Sequence, residues 1–342
     1  MKPKALLLGR IDHATASWQA LADLADPVDL VTTAATSRAE LLAECRSGAL
    51  DGVVAIFDRA PHSTSTTGPF DEELIGALPA SVRFLAHNGA GYDNIDVAAC
   101  TRRRIRVSHC PRVVDEATAD TAVFLILAAL REFNNGIMAI RQGSWTGLLP
   151  PEPLGHDPRG KVLGILGLGG IGRCLQRKMA AFGMTEVVYH NRTRLHPDDA
   201  GGAEYVSFDE LLARSDVLSL NLPLNAGTRN IISTAAFAQM KRGIVIVNTA
   251  RGGVLDEAAL VDALAKGIVS SVGLDVYQSE PNIHPALVAN PRVCLLPHMG
   301  TSTVETKTQM EELAISNVRS ALTTGKLVTP VPEQRHLDGQ ET

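Results

Sequence analysis

The sequence predicts an α/β protein of two parallel-sheet domains, and three observations predict it. Short apolar runs alternate with segments of helical spacing, a glycine fingerprint restarts that alternation midway, and 342 residues suit roughly two domains of 100 to 200 residues. Runs at 5–8, 28–32, 52–57 and 83–86 read as buried strands, separated by helical patterns such as 17–24 and 37–45. A helix follows over 115–142, apolar on nearly every side at its centre, so it is central or at an interface. The Pro/Gly-rich stretch 147–160 cannot continue a helix and reads as a surface loop. From residue 161 strands are expected at 162–166, 186–190, 217–220, 244–248, 271–274 and 293–296. Six strands with helical crossovers match a doubly wound nucleotide-binding domain. A last helix is expected over 301–323, and the polar tail 330–342 reads as disordered.

Composition narrows the function classes. With 32 basic against 37 acidic residues the formal charge is −5, so nothing draws the chain onto nucleic acid or anionic lipid. The five cysteines form no C-x-x-C pair, which suggests neither a disulfide framework nor a thiolate zinc site and fits a reducing cytoplasm. The apolar run at 5–8 is too short for a signal-peptide core. The strongest run, 122–130, is about half of the ~20 residues a membrane span needs.

In KVLGILGLGGIGRCLQRKMAAFG, Gly167, Gly169 and Gly172 stand in G-x-G-x-x-G spacing between an apolar strand and an amphipathic helix. Gly167 permits the tight turn, Gly169 lets the backbone approach a pyrophosphate, and Gly172 allows close packing of helix on strand. The acidic residue that takes the ribose hydroxyls in NAD-binding domains should follow about 20 residues on. Here the next strand ends in His190, Asn191, Arg192 and Arg194, with no carboxylate. A guanidinium pairs with a 2′-phosphate that an acid would repel, so NADP(H) is expected over NAD(H), Arg192 first and Arg194 second.

Three later strands end in chemistry. IVIVNTARGG offers Arg251, GLDVYQSEP offers Asp275 and Glu280, and VCLLPHMGTST offers His298. The carboxyl ends of strands line the ligand crevice of an open α/β sheet, so these groups should converge beside the glycine loop. Hydride transfer to a 2-keto acid needs a proton donor, a cation for the carboxylate and a held nicotinamide. An imidazole can switch charge near neutral pH, a partner carboxylate favours its protonated form, and a guanidinium grips carboxylates as a fork.

These motifs, together with NGAGYDNID at 88–96, resemble the D-isomer-specific 2-hydroxyacid dehydrogenase family over nearly the whole chain. The resemblance implies that Arg251 binds substrate, that His298 is the acid/base paired with Glu280, and that the backbone N–H groups of Ala90 and Gly91 carry the substrate carboxylate. It places Leu168, Gly170 and Ile171 with the three fingerprint glycines at the cofactor, and Asn191, Arg192 and Thr193 at its ribose. Leu222, Pro223 and Thr228 would follow on the next strand's loop, with Thr249, Ala250 and Arg251 beyond. Asp275, His298 and Gly300 would lie by the nicotinamide, Asp275 near its carboxamide. No metal is implied.

The His190-Asn191-Arg192 end looks like the NADPH-using glyoxylate/hydroxypyruvate reductase branch, and Glu280 replaces the Gln of the related formate dehydrogenases. The implied architecture is a Rossmann cofactor domain, 113–299, inserted into a discontinuous flavodoxin-like substrate domain, 1–112 with 300–330, and a flexible tail, 331–342. A homodimer is expected, with a small 2-keto or 2-hydroxy acid as the ligand and neither nucleic acid nor membrane as partner. The alternatives are a reductase for bulkier 2-keto acids such as phenylpyruvate, a D-mandelate dehydrogenase, and a non-catalytic dinucleotide-sensing protein resembling the co-repressors. Trp145 and Arg59 are open candidates at the substrate cleft.

Overall fold

The computed structural model describes residues 2–59, 62–147 and 153–339. Two compact units emerge: Met1–Val114 with Thr303–Thr342, and Asp115–Ser302. In the first, strands β1 (Lys4–Leu8), β2 (Asp29–Thr32), β3 (Val53–Asp58), β4 (Phe84–His87) and β5 (Arg106–Ser108) form a parallel sheet in the order β2-β1-β3-β4-β5. That is the flavodoxin-like order, with its reversal between β1 and β3. Leu6, Leu8, Ile56, Leu85 and Val107 are almost fully buried in its core, as strands covered on both faces require. The Val304–Thr324 helix packs on β3 and β4 of this sheet, capped by Thr303 and ended by Gly325 at φ +70°.

Glu311 on that helix is fully buried and accepts N–H groups from Asp12, His13 and Ala14 at 2.8–3.1 Å. Arg59, 5% exposed, pairs with Glu311 at 2.7 Å and Asp12 at 2.9 Å. Its charge is therefore spent on tying the 10–14 loop to the helix.

In the second unit, β6 (Leu163–Leu166), β7 (Val187–His190), β8 (Glu204–Tyr205), β9 (Val217–Leu220), β10 (Ile244–Asn248), β11 (Val269–Leu274) and β12 (Val293–Leu295) are all parallel, ordered β12-β11-β10-β9-β6-β7-β8. The order reverses between β6 and β9, where a doubly wound sheet opens its crevice. The Asp115–Leu130 helix packs on β10, β11 and the Gly170–Ala180 helix, with Ala122, Leu125 and Ile126 fully buried.

Three expectations need correction. The helix over 115–142 is two, Asp115–Leu130 and Phe133–Arg141, bent by 75°. Glu132 adopts φ +53°, and the Leu130 carbonyl released at the break accepts the His156 N–H at 2.7 Å. The tail is ordered through its first residues. Val331 and Gln334 are fully buried, and Gln334 accepts the Val107 N–H at 2.7 Å while donating to the Ile105 carbonyl at 3.0 Å. A buried amide with its bonds made is fixed, whatever the polarity of its neighbours; residues 340–342 lie outside the described residues. The strands expected in the second half gain one, the two-residue edge strand β8. The loop expected at 147–160 lies partly outside the described residues. Among the described residues no single helix is long and apolar enough to cross a membrane.

Candidate active site

The glycine loop joins β6 to the Gly170–Ala180 helix. Gly167 sits at φ +100°, where only glycine is unstrained, and a Cβ at Gly172 would come within 2.7 Å of the Gly167 carbonyl. The helix opens with neither an acidic residue in its own first turn nor a side-chain cap, and the Asp115 carboxylate lies against Gly170 at its start. Space above Gly169 is open: an added Cβ would meet nothing within 4 Å. The buried Thr249 Oγ1 after β10 and Asn221 Oδ1 after β9 have no hydrogen-bond partner. Room over Gly169 at a helix N-terminus and unsatisfied polar atoms at the strand ends fit a bound dinucleotide.

At the end of β7, the Asn191 Oδ1 accepts the Leu168 N–H at 2.7 Å, so Asn191 braces the glycine loop itself. Arg192 and Thr193 are exposed, and the Arg194 guanidinium lies 5.8 Å over the Tyr205 ring. Past β9, Thr228 donates to the Pro223 carbonyl at 2.6 Å and accepts the Asn225 N–H at 2.9 Å, fixing the loop that carries Leu222.

The acid-base residues come from adjacent strand ends, β10, β11 and β12. His298 Nδ1 lies 2.7 Å from Glu280 Oε2, and the other Glu280 oxygen accepts the Tyr277 N–H at 2.9 Å. Burial pushes the Glu280 carboxyl up, but the hydrogen bond from His298, the Tyr277 amide and the charges of His298 and Arg251 outweigh it. The carboxyl is held below its ordinary range. His298 takes φ +52°, an uncommon conformation for a side-chain-bearing residue. Asp275, 1% exposed, holds the turn by accepting the Met299 N–H at 2.7 Å and the Gly300 N–H at 2.8 Å. Burial raises the Asp275 carboxyl against the pull of those amides and of His298. Its oxygens thus serve the backbone beside His298.

Arg251 follows β10 in a loop fixed by Asn248, whose side chain accepts the Ala250 N–H at 3.0 Å and donates to the Arg251 carbonyl at 2.9 Å. The next residue, Gly252, lies so close to the segment after β11 that an added Cβ would overlap the Tyr277 carbonyl. Gln278 and the buried Glu257 exchange hydrogen bonds, N–H to Oε1 in each direction, at 2.7 and 3.3 Å. The Arg251 and Glu280 loops are therefore one packed piece. Asn248, Tyr277 and Gln278 were not singled out from sequence. Their position inside the same motifs as Arg251 and Glu280 is the signal that points to them. Ala90 and Gly91 belong to the first unit, in the loop after β4. Trp145 is exposed, and Arg59 is engaged by Glu311 and Asp12.

The sheet order and glycine loop define a dinucleotide-binding α/β protein. Residues 123–300 match the family model described as D-isomer specific 2-hydroxyacid dehydrogenase, NAD binding domain. The chain is 52% identical over 335 residues to 4-methyl-2-oxopentanoate reductase A of Aspergillus oryzae, covering 98% of this chain and 99% of that one. It is similar to the crystal structure of a glyoxylate reductase from Paecilomyes thermophila, with 55% identity, TM-score 0.93 and coverage of 98% and 99%. An NADPH-dependent glyoxylate/hydroxypyruvate reductase from Sinorhizobium meliloti, solved with NADP and malonate, matches at 32% identity and TM-score 0.82, covering 97% and 98%. The chain belongs to the D-isomer-specific 2-hydroxyacid dehydrogenase family, and it is an enzyme with an NAD-binding domain of that family.

Proposed function

We propose that this enzyme reduces a small 2-keto acid, of the glyoxylate or hydroxypyruvate type, to the D-2-hydroxy acid with NADPH. The observation that carries the reading is the His298–Glu280 pair, 2.7 Å apart on strand ends neighbouring that of Arg251. Glu280 holds the Nδ1 proton of His298, which leaves Nε2 to present a proton to the substrate carbonyl oxygen. Arg251 takes a substrate carboxylate oxygen or the carbonyl oxygen, and the N–H groups of Ala90 and Gly91 take the carboxylate. Asp275 keeps the His298 turn in place through Met299 and Gly300. A bound nicotinamide would supply the hydride. The glycine-loop amides would hold its pyrophosphate, and Arg192 the 2′-phosphate.

The missing carboxylate after β7 and the exposed Arg192 support NADPH, as does the NADP-bound relative. Replacing Arg192 with Ala removes one charge-assisted contact, so KM for NADPH should rise about 10-fold or more while KM for NADH barely moves. Wild-type turnover that favours NADH would refute the cofactor assignment. Similarity to 4-methyl-2-oxopentanoate reductase favours a second reading, a reductase of branched 2-keto acids. Assaying glyoxylate, hydroxypyruvate, 4-methyl-2-oxopentanoate and phenylpyruvate with NADPH separates the two by kcat/KM. A homodimer is supported by the exposed Phe133, Ile137, Ile140 and Trp145 around one helix, and sedimentation at micromolar concentration tests it. Five free cysteines accord with a cytoplasmic enzyme, which fractionation would check.

A further inference from the structure

Three consecutive carbonyls of the loop after β4 are claimed by donors. The Cys110 N–H donates to the Gly89 carbonyl at 2.8 Å. His109 Nδ1 lies 2.9 Å from the Ala90 carbonyl, and His87 Nε2 lies 3.1 Å from the Gly91 carbonyl. A carbonyl oxygen only accepts, so each of these ring nitrogens carries its hydrogen. In a trans peptide the C=O and the following N–H point in opposite directions. Turning these three carbonyls toward the protein therefore turns the N–H groups of Ala90, Gly91 and Tyr92 away from those donors. Successive N–H groups facing one way make an anion-binding concavity.

We propose that His87 and His109 are positioning residues that hold the 89–92 backbone with its N–H groups turned out to receive a carboxylate. The inference rests on the assignment of this loop to the substrate carboxylate. Both rings are themselves held. His87, 2% exposed, is 2.7 Å from Asp58 Oδ2, and the fully buried Asp58 also accepts the Ser63 hydroxyl at 2.6 Å. A Cβ on Gly89 would come within 2.5 Å of His87 Nε2, which explains the glycine there. His109, 9% exposed, meets the Tyr92 ring edge-on at 5.1 Å, and its backbone carbonyl accepts the Thr329 hydroxyl at 2.6 Å. Its Nε2 is buried without a partner, and burial lowers the basicity of the ring. His109 is thus a neutral donor through Nδ1, which delivers a hydrogen bond to Ala90 without itself adding a charge.

The test is a KM comparison between a 2-keto acid and the matching 2-keto amide, which lacks the carboxylate charge. His109→Leu removes the donor and should raise KM for the acid about 10-fold, the effect of losing one such hydrogen bond near a charge. KM for NADPH and for the amide should stay within about twofold, as a loss confined to the carboxylate contact requires. His109→Asn, whose Nδ2 replaces the Nδ1 donor, should restore most of the acid's KM. Long-range ¹H–¹⁵N spectra of wild-type enzyme labelled at histidine, with His109 signals identified by their loss in His109→Asn, should show the Nδ1–H tautomer. An Nε2–H tautomer, or an acid KM unmoved in His109→Leu, overturns the positioning role. A wild-type enzyme that does not prefer the acid over the amide overturns instead the carboxylate reading beneath it.

Discussion

Glu280→Gln keeps the shape of the side chain and removes its charge, and the local hydrogen bonds determine how much the enzyme loses. One carboxylate oxygen accepts from Tyr277 N–H and the other faces His298 Nδ1. A glutamine has one oxygen. If that oxygen stays on Tyr277, its NH₂ faces Nδ1, forces a lone pair there and disfavours the doubly protonated ring that reduction uses. If the amide turns, the Tyr277 N–H is left facing another donor. Hydrogen bonds to charged groups contribute ~1.5–3 kcal/mol and neutral ones about 0.5–1.5. With the two side chains 35% and 48% exposed, solvent screening favours the low end of the difference, about 1 kcal/mol. Loss of the Glu280 charge displaces the falling alkaline limb of reduction toward acid. The amide conflict adds to it, so kcat at neutral pH should drop about 10-fold. The assay is kcat/KM for reduction from about pH 5 to 9 at saturating NADPH. An alkaline limb that stays in place, or moves upward, refutes the assignment of Glu280 as the partner that charges His298.

Other expectations rest on the same geometry. Because the Glu280 carboxyl lies below its ordinary value, its stabilisation is complete above the unfolded-state value of about 4.3 and is lost as pH falls through the folded value. The gap in melting temperature between wild type and Glu280→Gln should therefore shrink on going from about pH 6 to 3.5; a gap that widens contradicts the sign. Gly252→Ala drives a methyl into the Tyr277 carbonyl and should cost about 1–3 kcal/mol in urea unfolding while raising KM for the keto acid. Wild-type behaviour in both would mean that the Arg251 and Glu280 loops are not coupled. Cys45, Cys100, Cys110 and Cys294 are buried, with the Cys100 and Cys110 thiols pushed up to about 12 by burial. Cys174, partly exposed, is the one thiol a disulfide reagent should reach in the native enzyme, whereas five should react in denaturant. Rapid native labelling of more than one would contradict the packing.

Where side chains are apolar on both faces of a sheet, their run in the sequence marks the strand. β1, β3, β6 and β10 were legible for that reason, and the fingerprint glycines marked the turn after β6. β5, with Arg106 at its start, and β8, with the exposed Glu204, carry no such run. Their pairing comes from neighbouring strands. The bend at Glu132 is set by the 153–156 loop reaching Leu130, and Gln334 is buried by partners more than 200 residues away; neither leaves a local pattern. At the site, residue types at strand ends pointed to Arg251, Glu280 and His298. Hidden from sequence was the bracing beneath them: Asn191 on Leu168, Asp275 on the His298 turn, and two histidines on the loop after β4.

The closing of the first sheet by the far end of the chain sets an order of events on the ribosome. β5 receives its Gln334 bonds, and β3 and β4 their covering helix, only after about 220 further residues are made, a lag of roughly 10–45 s at ~5–20 residues per second. Most of that interval is spent making Asp115–Ser302, a contiguous folding unit completed just before the covering helix begins. The N-terminal strands must wait with an apolar face open, so the newborn chain needs shelter at its beginning for as long as its middle is being made.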